Sequence, residues 1–250
     1  MLQIKKLHKS FGGVIAVKKC SFTVEKEQIT ALIGPNGAGK TTVFNLITGF
    51  INHEEGEIFF EEKNIKNLLP YQRAQLGIAR TFQTIRLLPK ITVLENLLLA
   101  IPGTYEDIHH ALFFQNKIKK QEKENISKAM HWLHFVGLEK LKDEQAGNLS
   151  YGQQKLLEIA QALCQEPKLL LLDEPAAGVN PTMLRRISEL LLRLKKEGMT
   201  ILFIEHDMEF VMNIADNVIV LDYGEEIAVG KPSEIQKNKR VIDAYLGGEA

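Results

Sequence analysis

Along the chain, short apolar runs of strand length alternate with stretches in which apolar residues recur every three or four positions. Leu2–His8, Cys20–Val24 and Gly56–Phe60 read as strands, and Ile29–Ile33 is apolar enough to be a buried one. A helix is predicted over Thr41–Thr48, with Gly49 placed to cap it. From about Thr84 to Gln165 strand signals vanish and helical spacing takes over, through Ile91–Ala100, Tyr105–Gly137 and Gln153–Cys164. Strand runs return at Lys168–Leu172, Thr200–Ile204 and Val218–Leu221. Among them, Pro181–Lys196 carries its own punctuation: Asn180 as N-cap, Pro181 in the first turn, Leu184, Ile187, Leu191 and Leu194 on one face, and Gly198 as stop. Strand, helix, strand in that order predicts parallel pairing. The pattern therefore predicts an α/β core, residues 1–83 and 166–250, with a helical subdomain, residues 84–165, inserted into it. The charged stretch Lys117–Lys123 reads as a solvated helix face.

Composition narrows the class. The 250 residues are 45% apolar, enough for a substantial core in one large domain or two small ones. Lys plus Arg and Asp plus Glu balance at 31 each, so no net field favours nucleic acid or an anionic membrane surface. Cys20 and Cys164 have no metal-ligand spacing and suggest no disulfide framework, which fits a reducing compartment and apolar packing. No apolar run approaches the roughly 18 to 20 residues that span a bilayer, and Met1–Lys6 lacks the pattern of a signal peptide. A cytoplasmic location is expected.

Three segments carry chemistry. Gly34-Pro-Asn36-Gly37-Ala38-Gly39-Lys40-Thr41-Thr42 follows the apolar strand and opens the helix, which is the context of a phosphate-binding loop. Its glycines let backbone N–H groups face inward, and the helix aims its positive end at the same point. Lys40 supplies a mobile charge for β- and γ-phosphates, and the Thr41 hydroxyl can ligate Mg²⁺. Leu169–Leu172 then ends in Asp173-Glu174-Pro175, placing two carboxylates where doubly wound sheets bind ligands. Asp173 suits a metal held through its hydration shell, and Glu174 suits a water aimed at the γ-phosphate. A solvated acidic turn is the plainer alternative. Ser150 and Gln153, at the head of an amphipathic helix, have capping-box spacing. The same helix end, with the Gly152 N–H, is also a candidate anion site.

Leu-Ser-Tyr-Gly-Gln-Gln at 149–154, shortly before Leu-Leu-Leu-Leu-Asp-Glu-Pro at 169–175, resembles the signature motif and Walker B of ATP-binding cassette (ABC) ATPases. Gln83, in Ala79-Arg-Thr-Phe-Gln83, matches the family's Q-loop, and His206, in Ile204-Glu-His206-Asp, its switch histidine. Phe11 occupies the place where the family stacks an aromatic ring on adenine. The motifs stand in the family's order and span essentially the whole chain. The resemblance implies a P-loop NTPase fold with a mixed sheet, in one ABC ATPase domain over residues 1–250, with ATP and Mg²⁺ as ligands. It further implies a head-to-tail dimer with a second ABC ATPase subunit. Each site takes the phosphate loop, Gln83, Asp173, Glu174 and His206 from one subunit and Ser150, Gly152 and Gln153 from the other. Glu174, His206 and Gln83 are the implied catalytic set, and Thr41, Gln83 and Asp173 the implied metal set.

Finer similarity, in Gly77–Gln83, Ile91–Asn96, Ala176–Pro181 and Val241–Leu246, points to ATPase subunits of uptake systems for branched-chain and other hydrophobic amino acids. Urea-uptake and lipopolysaccharide-export ATPases resemble the same pattern, and Asn180 departs from the Asp of many family members. The implied partners are transmembrane permease subunits, which would hold the ATPase against the inner face of the membrane. A solute-binding protein would be met only indirectly, and nucleic acid not at all.

Overall fold

The computed structural model describes residues 1–102 and 115–246. Along these residues the strands are β1 (Leu2–Phe11), β2 (Val14–Val24), β3 (Ile29–Ile33), β4 (Glu55–Phe60), β5 (Lys63–Asn64), β6 (Ile78–Arg80), β7 (Leu169–Asp173), β8 (Thr200–Ile204), β9 (Asn217–Asp222) and β10 (Glu225–Gly230). The α-helices are α1 (Lys40–Thr48), α2 (Pro70–Gln75), α3 (Val93–Ala100), α4 (Gln115–Val136), α5 (Tyr151–Leu163), α6 (Pro181–Lys196), α7 (Met208–Ile214), α8 (Pro232–Ile235) and α9 (Lys239–Leu246). The chain divides into two units, Met1–Gln83 with Lys168–Ala250, and Thr84–Pro167.

In the first unit, β3, β7 and β8 are buried at all five of their positions, as strands covered on both faces must be. They sit inside a six-stranded sheet of order β10-β9-β3-β8-β7-β6. Every pair is parallel except β9 with β10, so the sheet is mixed. A second, antiparallel sheet runs β2-β1-β4-β5. Alternate residues of the two sheets (Leu2, Ile4, Leu32, Leu169, Leu171, Leu202) close with Val43, Phe44 and Ile47 of α1 into one apolar core. On α6, Ile187, Leu190, Leu191 and Leu194 are buried and Leu184 only half-buried, and Phe203 of β8 meets Phe210 of α7 edge to face at 5.7 Å.

The second unit is helical. Thr92 and Glu95 cap α3 reciprocally, and the buried Asn96 side chain holds the preceding loop through Leu88 and Thr92. Ser150 and Gln153 form the expected capping box on α5. The predicted helix Tyr105–Gly137 is seen as Gln115–Val136, residues 105–114 lying outside the described set. Elsewhere β2 begins at Val14 rather than Cys20. Gly12 and Gly13, with φ of 52° and 89°, turn the chain tightly enough for Phe11 to pair with Val14. β6 has only three residues, too few for periodicity to reveal.

Arg73, 1% exposed, ties α1 down. Its guanidinium donates to the carbonyl of Leu46 at 2.6 Å, which otherwise takes only the long Gly49 N–H bond of 3.4 Å, to that of Ile47 at 2.9 Å in the last turn of α1, and to those of Leu68 and Lys66. Arg73→Ala strands these acceptors and opens a void, so urea denaturation should show a loss of about 3 kcal/mol or more, with Arg73→Lys in between. A loss below about 1 kcal/mol would mean that water replaces the guanidinium.

Candidate functional site

Parallel strands β3, β8, β7 and β6 all end at one edge, and their register decides what meets there. Leu32 pairs with Ile204, and Ile204 with Asp173. Ligands of such sheets bind beyond the carboxyl ends of the strands.

Beyond β3 the chain closes a loop over Gly34–Gly39. Gly34 has φ 149° and Gly39 φ 95°, and a Cβ on either would lie 2.1 Å from the Leu221 carbonyl oxygen or 2.3 Å from that of Ala16. No other residue fits those approaches. Ala38 is buried, its N–H donating to Pro35 O at 3.2 Å and its carbonyl accepting from Gly224 N–H. Asn36, Gly37 and Thr41 are exposed and Thr42 half-buried at the start of α1. The Lys40 ammonium folds back on the loop, donating to Gly34 O at 2.8 Å and Pro35 O at 2.9 Å. Burial lowers its pKa, while the negative charges of Glu174 and Asp173 oppose that shift.

Beyond β7 stands Glu174, with φ 51° in the left-handed region, a conformation costing of order 1–3 kcal/mol in a residue with a side chain. Its N–H donates to Ile204 O at 3.0 Å. The carboxylate meets His206 Nε2 at 2.9 Å on one oxygen and accepts from the Gln83 amide at 3.2 Å on the other. Lys40, Thr41, Gln83, Glu174 and His206 therefore line one open pocket of about 310 Å³, with Asn36–Gly39, Thr42 and Ala16. Asp173 lies beneath it, 3% exposed, and one carboxylate oxygen takes a 2.8 Å ion pair from Arg80.

Some candidates lie elsewhere. Phe11 is on the β1–β2 hairpin, about half exposed, with the Lys9 ammonium 5.1 Å above its ring. Ser150, Gly152 and Gln153 belong to the second unit, at the head of α5. Cys20 and Cys164 are free and buried, and burial pushes both thiols up to about 12.

Three residues that motif reading passes over are built into the site. Arg80 bonds Asn45 at 2.6 Å as well as Asp173, and lies 5.4 Å from the rings of both Phe44 and Phe82. The Thr81 hydroxyl accepts from Asp173 N–H at 3.3 Å. Glu205 is a buried carboxyl between β8 and His206. Their signal in the sequence was position alone, each standing within three residues of a motif residue.

A glycine-rich loop joining a buried strand to a helix, with its lysine and a carboxylate pair at the end of another parallel strand of the same sheet, defines a P-loop nucleotide triphosphatase. The ABC transporter family model matches residues 17–177, and a model described as branched-chain amino acid ATP-binding cassette transporter matches residues 225–250. The chain belongs to the ABC transporter family. Among its relatives, the probable branched-chain amino acid transport ATP-binding protein LivG of Archaeoglobus fulgidus is 44% identical, over 100% of this chain and 96% of that protein. The high-affinity branched-chain amino acid transport ATP-binding protein BraF of Pseudomonas aeruginosa is 42% identical, over 99% and 98%. The fold matches the crystal structure of an ATP-binding cassette of an ABC transporter in its ADP conformation, with a TM-score of 0.87 and 40% identity, covering 99% of this chain and 98% of that one.

Removing Arg80 would leave Asp173 buried without its partner. Arg80→Met should cost about 3–5 kcal/mol in denaturant unfolding, and the double variant Arg80→Met/Asp173→Asn should lose less than Arg80→Met alone. Additive losses would mean that the pair is not coupled.

Proposed function

We propose that this chain is the ATP-binding and ATP-hydrolysing subunit of an importer of branched-chain or other hydrophobic amino acids. The observation that carries the reading is that similarity to branched-chain amino acid transport ATP-binding proteins runs the full length of the chain, including the C-terminal residues 225–250. The subunit works at the cytoplasmic face of the membrane, held there by permease subunits. It pairs with a second ABC ATPase, of its own kind or a related one. Among the described residues no helix is long and apolar enough to cross a membrane, so the permease supplies the spanning segments.

On this reading the inward N–H groups of Gly34–Gly39 and the end of α1 take the β- and γ-phosphates, and Lys40 leaves its carbonyls to join them. Phe11 stacks on adenine. Glu174 accepts the proton of the attacking water as oxygen bonds to the γ-phosphorus and the bridge to ADP breaks. His206, already bonded to Glu174, steadies the carboxylate and reaches the γ-phosphate, while Gln83 reports the state of the nucleotide to the helical unit. Ser150, Gly152 and Gln153 complete the site of the partner subunit.

The residues fit Mg²⁺. The Thr41 hydroxyl, the Gln83 amide oxygen and Asp173 offer hard oxygen donors, and Arg80 takes only one Asp173 oxygen. Among the described residues no group of three or more His, Cys, Asp or Glu forms a cage, which suits an ion bound mainly by phosphate and water. When bound, the ion offsets phosphate charge in the transition state.

Glu174→Gln should bind MgATP nearly as wild type yet lose at least about a hundredfold in turnover and accumulate an ATP-bound dimer, whereas Lys40→Ala should lose nucleotide affinity itself. Normal hydrolysis by the Gln variant sinks the role given to Glu174. The transport reading is tested by deleting the gene and measuring radiolabelled leucine, isoleucine and valine uptake, and by identifying the membrane proteins that co-purify with the tagged chain. Unchanged uptake of all three, or the absence of a permease among the co-purified proteins, would overturn it.

A further inference from the structure

Between β8 and His206 lies Glu205, 3% exposed, a carboxyl to which neither the hydrolysis scheme nor the family motifs give a task. Its surroundings are specific. One carboxyl oxygen accepts from Ala176 N–H at 2.6 Å, in the loop that follows β7. The other accepts from His206 N–H at 3.1 Å, and Asp207 N–H also bonds this carboxyl, both in the loop that follows β8. Burial raises the Glu205 pKa, three backbone N–H groups pull it back, and the nearby Glu174 raises it again.

The neighbouring sequence explains why a side chain is needed there. Backbone contact between the two loops continues to Glu174 N–H on Ile204 O and then meets Pro175, which has no N–H to give. Ala176 N–H faces inward one residue later, where the chain beyond β8 has already turned away toward α7. The Glu205 side chain reaches across and supplies the missing acceptor. Pairing between the loops thus reaches Ala176, three residues past the end of β7, through a carboxyl instead of a carbonyl. On those two loops sit Glu174 and His206, at 2.9 Å from each other.

We propose that Glu205 is a positioning residue for hydrolysis, its carboxyl locking the loop of Glu174 to the loop of His206 and so setting the distance at which those two side chains work. The inference rests on the roles given above to Glu174 and His206. It assigns Glu205 no contact with nucleotide, so its loss should act on turnover and leave binding alone. A misplacement of about 1 Å between reacting groups can cost as much as a hundredfold in rate.

The test is steady-state ATP hydrolysis and equilibrium ATP binding by the purified full-length chain and its Glu205→Ala, Glu205→Gln and Glu174→Gln variants. Glu205→Ala should lower kcat about ten- to a hundredfold with KM and ATP affinity within about twofold of wild type. Glu205→Gln, which keeps one of the two acceptor positions, should fall between them. If Glu205→Ala does not fold, Glu205→Gln decides: a fall in kcat at constant KM supports the inference. Unchanged kcat in a folded variant, or a parallel loss of ATP affinity, overturns it. Glu174→Gln separates the two ideas. If that variant is inactive while Glu205→Ala turns over normally, only the positioning role fails; if Glu174→Gln hydrolyses normally, the reading beneath it fails first.

Discussion

Register in a parallel sheet governs this molecule. Side chains alternate faces along a strand, so a slip of one residue between β7 and β8 would send Asp173 to the other face and carry Glu174 away from His206. Nothing polar within β7 or β8 before Asp173 marks the register apart from Thr200, so it is set by packing of the apolar faces, between α1 and the antiparallel sheet on one side and under Phe210 on the other. Arg80, Thr81 and Asn45 lock the adjoining register of β6 against β7, because their bonds to Asp173 and to one another form in only one alignment. A purely apolar pattern specifies the fold, and a few polar contacts at the strand ends specify the site.

Charge at that edge is handled by enclosure rather than by solvent. Asp173 is paired with Arg80, Glu205 is wrapped by backbone N–H groups, and Lys40 is held by two carbonyls. Burying such groups without partners would cost several kcal/mol apiece. Glu174 is the exception in backbone geometry, bearing a left-handed φ that most residues avoid. Strain of this kind persists where the neighbouring structure overdetermines it, and here the Ile204 carbonyl, Gln83 and His206 all fix the residue.

What the sequence made legible follows from length and local chemistry. Helix α6 and strand β8 agree with their predicted bounds because Pro181 and Gly198 mark the helix and four apolar residues after Thr200 mark the strand. The glycine loop could be read because Gly, Lys and Thr at fixed offsets have few other uses. The short elements escaped: β6, α2 and α7 have three, six and seven residues, less than the window over which periodicity declares itself. The antiparallel sheet was only partly seen, since Lys18 and Lys19 interrupt the alternation of β2, and its register shifts against β1. Arg80 and Glu205 carry no motif of their own. Their importance comes from contacts with residues 93 and 29 positions away, which no local pattern contains.

In the phosphate loop, Lys40 meets its electrostatic need with the carbonyls of Gly34 and Pro35. On the nucleotide-binding role proposed for this loop, an incoming polyphosphate has to draw the lysine away from an internal competitor. On the same role, a ligand with a single phosphate would meet fewer N–H donors than one that spans the loop and the start of α1. As a bound nucleotide left, the lysine would have the same two carbonyls to return to. On that role, selection of a ligand by its length and its later release would both draw on the same two hydrogen bonds.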